Sequence, residues 1–253
     1  MSNDAILFDV EDGVAKLTLN RPERLNAFSG PMGEAWAERA AEAVGRDDVG
    51  AILLRASGRA FCAGGDVRAM AEEMTSGAEI ERLAHVINRG VVSLVQSAKP
   101  VVAAAHGTTA GGGLGILLSS DYAIIGEGSR IGCLYANIGL TPDLSVSALL
   151  ARAVGERRAL QLALQPRLLS AQEALDWGLV AEVVPDDEVQ ARADEVARHW
   201  AENAPEAYGR AKLLLRSRPE RSFAEQLDLE ARTIGEAFET PEAQTRIRVF
   251  AKK

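Results

Sequence analysis

Two glycine-rich segments have the composition of anion-binding turns. Residues 60–67 read Ala-Phe-Cys-Ala-Gly-Gly-Asp-Val, and residues 106–114 read His-Gly-Thr-Thr-Ala-Gly-Gly-Gly-Leu. Glycine lets the backbone approach a ligand closely, and the first N–H groups of a helix have no partner within it. Two such N–H groups converging on one oxygen stabilise negative charge there. On spacing alone, ordinary tight turns are the favoured interpretation, because most glycine clusters form such turns.

The common catalytic and cofactor motifs are incomplete in this sequence. Residues 110–115 do not complete the dinucleotide-binding pattern G-x-G-x-x-G, and no Gly-Lys pair is present to form a P-loop. His85, His106 and His199 form no H-E-x-x-H pair, and no serine occupies the centre of G-x-S-x-G. Nucleotide hydrolysis, zinc-protease chemistry and serine hydrolysis therefore lack sequence support.

Length and composition are those of an ordinary globular protein. The 253 residues are 47% hydrophobic and 25% charged, which excludes global disorder. With 28 Lys and Arg against 36 Asp and Glu, the formal net charge of -8 argues against a surface for nucleic acid. Cys62 and Cys133 are too few for a disulfide framework, and with three histidines they supply no zinc site of standard spacing. We therefore expect a protein of a reducing compartment without a metal site.

No segment has the pattern of an export signal or a membrane span. Residues 100–120 carry no formal charge, but they include His106 and several glycines, so we interpret them as a buried strand, a turn and a buried helix. The acidic start, Met-Ser-Asn-Asp, lacks the basic region of a secretory signal. We expect a cytoplasmic protein with no membrane partner.

Hydrophobic periodicity predicts alternating strands and helices and then a helical region. The predicted strands are 6–10, 14–19, 51–54, 101–105 and 122–125, and the predicted helices are 31–44, 79–96 and short segments near Asp66 and Leu114. Residues 106–112 are expected to be a loop. Nearly all of the chain after residue 144 is expected to be helical, with breaks at Gly155, Pro166, Gly178–Pro185, Pro205, Pro219 and Pro241. An α/β architecture follows, with a strand-and-helix core up to about residue 185.

Several ordered segments carry one recognisable pattern. They are Asn20-Arg21-Pro22, Asn26-Ala27, residues 60–66, Lys99-Pro100-Val101, residues 110–113 and residues 174–180. In this order they closely resemble the enoyl-CoA hydratase/isomerase (crotonase) superfamily, over essentially the whole chain. The resemblance implies a crotonase-like ββα spiral core in residues 1–185 and an α-helical region in residues 186–253 for oligomerisation and CoA contact. It also implies a homo-oligomer, either trimer or hexamer, and an acyl-CoA thioester substrate whose CoA makes a separate cofactor unnecessary.

The resemblance assigns substrate contacts residue by residue. The N–H groups of Gly65 and Gly112 are expected to form an oxyanion hole for a thioester enolate. The expected substrate-binding residues are Arg24, Leu25, Ala63, Asp66, Val67, Arg68, Phe250 and Lys253. A lysine in a last helical turn is equally expected from the helix dipole. Tyr135 is expected either to line the acyl pocket or to be a core aromatic with a bonded hydroxyl.

Both glutamates that a hydratase of this superfamily uses are missing. Gly115 and Tyr135 stand at their positions. Glycine has no titratable group, and a tyrosine with a reference pKa of about 10 is a poor base near neutrality. The usual two-carboxylate activation of water is therefore not expected here.

Asp143 is a carboxylate at a position that the superfamily uses. By resemblance, the Δ3,Δ2-enoyl-CoA isomerases, including the ring-epoxide isomerase of phenylacetate breakdown, carry a single Asp or Glu there. One carboxylate beside an oxyanion hole is sufficient to move a proton from C2 to C4. The alternative is that Asp143 caps a helix beginning at Leu144; the resemblance favours catalysis.

Residues 110–116 and Ser119-Ser120-Asp121 also resemble the corresponding segments of 4-chlorobenzoyl-CoA dehalogenase, which uses an aspartate nucleophile at the Asp143 position. That enzyme's helper tryptophan and histidine fall on Tyr135 and Asn88 here, so we rank dehalogenation lower.

Other polar residues near the turns receive structural interpretations. We interpret His106 as structural, Asp66 as a helix N-cap or part of the CoA-binding turn, and Asp121 as a strand-edge hydrogen-bonding residue. Cys62 has no evident histidine partner and is expected to be a buried thiol.

The leading hypothesis is an enoyl-CoA isomerase with Asp143 as its acid/base. An enoyl-CoA hydratase with atypical acid/base residues and a non-catalytic CoA-thioester-binding protein remain as alternatives.

Overall fold

A six-stranded sheet forms the centre of the fold. The computed structural model describes residues 5–217 and 221–252. The sheet consists of β1 (Ile6–Glu11), β2 (Val14–Leu19), β3 (Ala51–Ala56), β4 (Val101–Ala105), β6 (Tyr122–Gly126) and β9 (Glu182–Val184). The strand order is β1-β2-β3-β4-β6-β9. The β1–β2 hairpin is antiparallel and the later pairs are parallel, so the loops after β3 and β4 leave the same edge of the sheet side by side.

A smaller sheet carries part of the second glycine-rich segment. It consists of β5 (Thr108–Ala110), β7 (Arg130–Gly132) and β8 (Leu168–Ser170), in the order β5-β7-β8. The prediction of a loop over residues 106–112 is therefore wrong at β5. The prediction of an almost wholly helical chain after residue 144 is wrong at β8, whereas β9 lies within the break predicted at Gly178–Pro185 and the break predicted at Pro219 lies outside the described residues. Each of these strands has three residues, which is too short for a period of two to be recognised.

Helices cover both faces of the large sheet. The helices are α1 (Gly30–Gly45), α2 (Val67–Glu73), α3 (Gly77–Gln96), α4 (Gly112–Leu118), α5 (Val146–Val154), α6 (Glu156–Leu164), α7 (Ala171–Asp176), α8 (Val189–Glu202), α9 (Pro205–Ser217), α10 (Phe223–Phe238) and α11 (Pro241–Phe250). Short 3-10 helices cover Pro22–Arg24 and Tyr135–Ile138. The larger apolar core includes buried side chains of α1, α3, α4 and α5, and α8 packs three buried residues against the sheet in a second core. The expected α/β class is confirmed.

The C-terminal helices differ in how much apolar surface they bury. Helix α8 packs on the sheet, whereas α10 and α11 leave large apolar side chains exposed, among them Phe223, Ile234 and Phe250. The division of the chain at residue 185 stays a prediction.

Among the described residues, no helix combines the length and apolar character that crossing a bilayer requires.

Candidate active site

The two glycine-rich turns lie against each other. A parallel bridge pairs Cys62 with Thr109, and the Ala110 N–H donates to the Cys62 carbonyl at 2.9 Å. Gly64 has a left-handed backbone (φ +112°), and a Cβ placed on it would lie 3.3 Å from the Gly112 nitrogen. Only glycine fits at this crossing without strain or crowding. The chain therefore brings together two segments that lie about fifty residues apart.

Each turn presents a backbone N–H group that has no hydrogen-bond acceptor among the described residues. Next to Gly65, the Phe28 N–H donates to the Gly64 carbonyl and the Asp66 N–H donates to the Phe28 carbonyl, at 2.8 and 2.9 Å. Gly112 is the first residue of α4, where no intrahelical acceptor is available. Within residues 5–217 and 221–252, neither the Gly65 N–H nor the Gly112 N–H meets an acceptor. Both are available to bind a ligand oxygen.

Both glycines line one cavity of about 400 Å³, a volume typical of small-molecule sites. The lining is Phe28, Ala63, Gly64, Gly65, Val67, Met70, Ile80, Leu83, Ala84, Ile87, Gly111, Gly112, Leu134, Tyr135, Asn137, Ile138, Leu140, Thr141, Asp143 and Leu144. Most of these side chains are apolar. Among the described residues, Asp143 is the one carboxylate on the wall of this cavity.

Tyr135 holds the Asp143 carboxylate. The Tyr135 hydroxyl donates a hydrogen bond of 2.6 Å to Oδ1 of Asp143. Burial raises the pKa of Asp143, and the hydrogen bond from Tyr135 partly opposes this increase. Burial and the neighbouring carboxylate raise the pKa of Tyr135 above its usual range, so the phenol stays neutral and donates. A carboxyl group with a raised pKa is suited to accept and return a proton near neutrality.

Asp143 does not cap a helix. Helix α5 begins at Val146, two residues later than the helix start considered above, and its N-cap is Ser145. The Asp143 backbone carbonyl accepts from the Val146 N–H at 2.9 Å, while its carboxylate reaches Tyr135. The capping alternative is therefore wrong, and the carboxylate remains on the cavity wall.

Comparison with known proteins establishes the family. Residues 9–253 match the family model described as enoyl-CoA hydratase/isomerase. The chain belongs to the enoyl-CoA hydratase/isomerase family. The superfamily predicted from the sequence is confirmed, and the predicted acyl-CoA substrate class fits this family.

Relatives within the family carry different activities in their names. The chain is 36% identical over 230 residues to a 1,2-epoxyphenylacetyl-CoA isomerase of Escherichia coli (strain K12), covering 89% of this chain and 87% of the relative. It is 31% identical over 250 residues to a trans-2-decenoyl-(acyl-carrier-protein) isomerase of Streptococcus mutans, covering 98% and 95%. A solved enoyl-CoA hydratase of Bacillus anthracis superposes with a TM-score of 0.92 at 26% identity, covering 98% of this chain and 96% of that one. The predicted crotonase fold is confirmed.

Gly115 and Tyr135 stand at the two positions where the resemblance places the glutamates of a hydratase. A Cβ on Gly115 would collide with the backbone carbonyl of Leu144, so no longer side chain fits there as the chain is folded. Leu144 and Ser145 both have left-handed backbones, with φ of +47° and +74°. At the other position, Tyr135 is bonded to Asp143. The packing around α4 therefore leaves no room for a glutamate at residue 115, and Tyr135 occupies the other position.

The residues expected to contact CoA are only partly brought together. Ala63 and Val67 line the cavity. Arg24, Asp66 and Arg68 line an adjoining polar groove.

The remaining expected contacts fall in other places. Leu25 has a left-handed backbone, and its carbonyl accepts from the Ala63 N–H at 3.0 Å, which anchors the first turn. Phe250 lies on α11, is 80% exposed, and lines a surface depression formed by residues 245–247 and 249–251. Lys253 lies outside the described residues.

The polar residues interpreted as structural have structural partners. The His106 ring Nε2 is 2.8 Å from the Gly58 carbonyl oxygen. Asp66 caps α2 by accepting from the Ala69 N–H, and it forms an ion pair of 3.0 Å with Arg21.

Asp121 and Cys62 are likewise held within the fold. Asp121 accepts from the Val101 N–H at the strand edge, at 2.9 Å. Cys62 is buried, donates to the Asn26 carbonyl, and has its pKa raised by burial to about 12, so it is no thiolate nucleophile.

Sequence reasoning missed two residues of this region. Leu144 fills space beside the second turn, and Arg21 ties the first turn to the chain start through Asp66. Arg21 stands in a segment that carries the family resemblance, which is a signal for it. A leucine in a left-handed conformation has no sequence signal, because residues other than Gly, Asn and Asp rarely adopt it.

Proposed function

We propose that the protein is an enoyl-CoA isomerase that converts a 3-enoyl thioester into the conjugated 2-enoyl thioester. The proposal is carried by one observation on the part of the chain that the structure describes. A single carboxylate, Asp143, lies on the wall of the cavity that also holds the N–H groups of Gly65 and Gly112, and neither N–H group meets an acceptor there. Asp143 would act as both base and acid, and the two N–H groups as the oxyanion hole.

Each step of this reaction has a group to perform it. The Asp143 carboxylate removes a proton from C2, and the electron pair moves into the thioester carbonyl. The Gly65 and Gly112 N–H groups donate to the resulting enolate oxygen, which is where the charge develops. The Asp143 carboxylic acid then delivers the proton to C4, and the double bond moves from C3–C4 to C2–C3.

The environment of Asp143 supports a role in proton transfer. The apolar wall raises the pKa of the carboxyl, which strengthens it as a base once ionised. The Tyr135 hydroxyl holds Oδ1, so Oδ2 is the oxygen left to meet substrate. Tyr135 is thus proposed as a positioning residue.

Hydration is the less favoured reaction. A hydratase of the usual kind needs a second carboxylate to activate water, and the packing of Leu144 on Gly115 leaves no room for one. The names of the two isomerase relatives are consistent with an isomerase, without deciding its acyl group.

The other parts of the proposal concern CoA and assembly. Arg24 and Arg68 lie in the groove beside the cavity together with Asp66, Glu72 and Glu73, so the two guanidinium groups, and not a net positive charge of the groove, would contact the phosphates of CoA. The backbone of residues 63–67 would contact the rest of CoA, and Phe250 and Lys253 would do so from a neighbouring subunit of a homo-oligomer, trimer or hexamer. We further propose a cytoplasmic enzyme that needs no cofactor besides the CoA of its substrate.

The test is an assay with panels of 3-enoyl-CoA and 2-enoyl-CoA esters, following conjugation and hydration separately. Asp143→Asn keeps the shape of the side chain and removes the base, so the isomerisation rate should fall about 10³-fold or more. Asp176→Asn, at an exposed helix residue, is the matched control and should leave the rate unchanged. Isomerisation that survives Asp143→Asn would overturn the mechanism. Binding of CoA thioesters without any turnover would instead establish the non-catalytic alternative.

A further inference from the structure

One face of α3 forms an aliphatic part of the cavity wall. Its side chains recur at the spacing of successive helical turns, and they are Ile80, Leu83, Ala84 and Ile87. Seven residues of helix rise about 10 Å, so this face is long enough to lie along several methylene groups. In the proposed reaction, the thioester and the carbons up to C4 lie close to the two glycine N–H groups and Asp143. The α3 face is therefore left to carbons further along the acyl chain.

A glycine of α1 lies directly behind two of these side chains. Gly33 is buried, and a Cβ placed on it would lie 3.1 Å from Cδ1 of Leu83 and 3.0 Å from Cγ1 of Ile87. Both distances are shorter than an ordinary van der Waals contact between carbons, so a side chain at residue 33 would have to displace its neighbours. Gly33 has no left-handed backbone that would require a glycine. The need for glycine at this position is therefore one of space.

The indole ring of Trp36 holds the two helices together at this point. Trp36 is fully buried, and its N–H donates to the Ile87 carbonyl at 3.2 Å. A Cβ on Gly90 of α3 would collide with the same indole ring, so the ring fills the space that this glycine leaves. Because protein interiors are close-packed, a group added at Gly33 cannot easily push the helices apart. It would instead move Leu83 and Ile87 toward the cavity, where space is open.

We propose that Gly33 sets the width of the subsite for the distal part of the acyl chain and so determines which acyl lengths bind. This inference rests on the proposed function, because it takes the cavity to hold the acyl group of a CoA thioester. Gly33 touches no substrate and acts through Leu83 and Ile87, so it is a positioning residue. The absence of a side chain on it keeps both neighbours drawn back. The substrate class that follows is an acyl chain extending several carbons past C4.

The experiment is calorimetric titration of the protein with saturated acyl-CoA esters, whose binding requires no turnover. Gly33→Ala should weaken the binding of octanoyl-CoA about fivefold, because the displaced side chains narrow the subsite. Butanoyl-CoA ends at C4 and should bind as it does to wild type. Gly45→Ala is the matched control at the other end of α1. Nothing lies within 4 Å of its Cβ position, so both esters should bind to this variant as they do to wild type.

Three outcomes would overturn the inference. The first is equal affinity of wild type and Gly33→Ala for octanoyl-CoA. The second is equal weakening for both esters, which would show a general effect on the fold. The third is a wild type that binds octanoyl-CoA no more tightly than butanoyl-CoA, because burial of the distal carbons on an apolar face should increase affinity.

The same titration separates this inference from the proposed function. Binding without formation of any 2-enoyl product would overturn the isomerase reaction alone, since the two affinities still decide the role of Gly33. Failure of the wild type to bind either ester would overturn the proposed function, and the inference with it.

Discussion

The Tyr135 hydroxyl lies 2.6 Å from Oδ1 of Asp143, so a neutral phenol and a carboxylate form one hydrogen-bonded pair on the wall of an apolar cavity. Tyr135 is the first residue of a 3-10 helix over Tyr135–Ile138, and Asp143 lies in the loop that follows this helix. This segment places the donor and the acceptor on the same side of the cavity. The pair therefore sets both the orientation and the proton affinity of the one carboxylate described there.

Tyr135→Phe should move the acid limb of the pH profile to higher pH. Burial already raises the pKa of Asp143 above the ordinary aspartate value of about 3.9. The Tyr135 hydrogen bond stabilises the ionised form, so its removal raises the pKa of Asp143 further. Because the ionised form is the base, kcat/KM should fall below this pKa in both proteins, but at a higher pH in the variant.

Tyr122→Phe is the matched control for this prediction. Its hydroxyl also donates to a carboxylate, Glu182, at 2.8 Å, on the far strand of the large sheet. Its loss should leave the acid limb where it is in wild type. An acid limb that stays in place in Tyr135→Phe would show that this hydrogen bond does not tune the base.

Much of the fold is predictable from local patterns. Strands such as 101–105 are short apolar runs, and the helix ending near Gln96 precedes Lys99-Pro100, which stops a helix. The strands that were missed, including β5, gain their stability from pairing with distant segments. A strand of three residues is too short to show the alternation of apolar and polar residues from which a strand is predicted.

The site is only partly predictable for the same reason. Gly65, Gly112 and Asp143 stand in ordered motifs, and the structure brings them to one cavity. The contact of Leu144 with Gly115 depends on how two turns pack, and a single sequence contains no trace of it. Phe250 was expected to contact CoA because of its spacing from Lys253. The spacing of two residues does not predict which ligand or surface their side chains contact.

Gly115→Ala should destabilise the fold by about 2–3 kcal/mol, because its Cβ would collide with the Leu144 backbone carbonyl and force α4 and the following loop apart. Gly45→Ala is the control, since nothing lies within 4 Å of that Cβ position at the end of α1, and helix propensity should stabilise it by up to about 1 kcal/mol. Urea unfolding at fixed protein concentration measures both. A neutral effect of Gly115→Ala would show that a hydratase glutamate is not excluded by packing.

For the same reason, we expect that Gly115→Glu does not create hydratase activity.

Gly64→Ala should lower kcat/KM about 10²–10³-fold, as for the loss of one oxyanion donor. The added Cβ would press on the Ala110 carbonyl and the Gly112 nitrogen, at 3.1 and 3.3 Å, and would separate the two turns. Gly178→Ala pays a similar cost for a left-handed backbone (φ +76°) but meets only an ordinary contact outside the cavity. Steady-state kinetics should therefore separate the two variants, although both lose stability. Equal activity would argue against an oxyanion hole at this crossing.

Lys212→Ala should lower the free energy of unfolding by about 3–5 kcal/mol, because it removes a buried charge from its partners. The buried ammonium group on α9 donates to the carbonyls of Leu94 and Lys99 at 2.6 and 2.7 Å and pairs with Asp121 at 3.0 Å. Burial lowers the pKa of Lys212, and Asp121 opposes this, so the charge is held by its partners. Its loss leaves the two carbonyls without their donor and weakens the attachment of α9 to the end of α3.

Arg210→Ala is the control for Lys212, because Arg210 pairs with Glu236, which is largely exposed, and its loss should change the free energy of unfolding by less than about 1 kcal/mol. Both values come from urea unfolding at one protein concentration, since any assembly of subunits would add to the apparent stability. Similar losses in the two variants would mean that burial of Lys212 adds nothing to the ion pair. A large loss of unfolding free energy in Lys212→Ala alone would show that the contacts of this side chain hold α9 against the core.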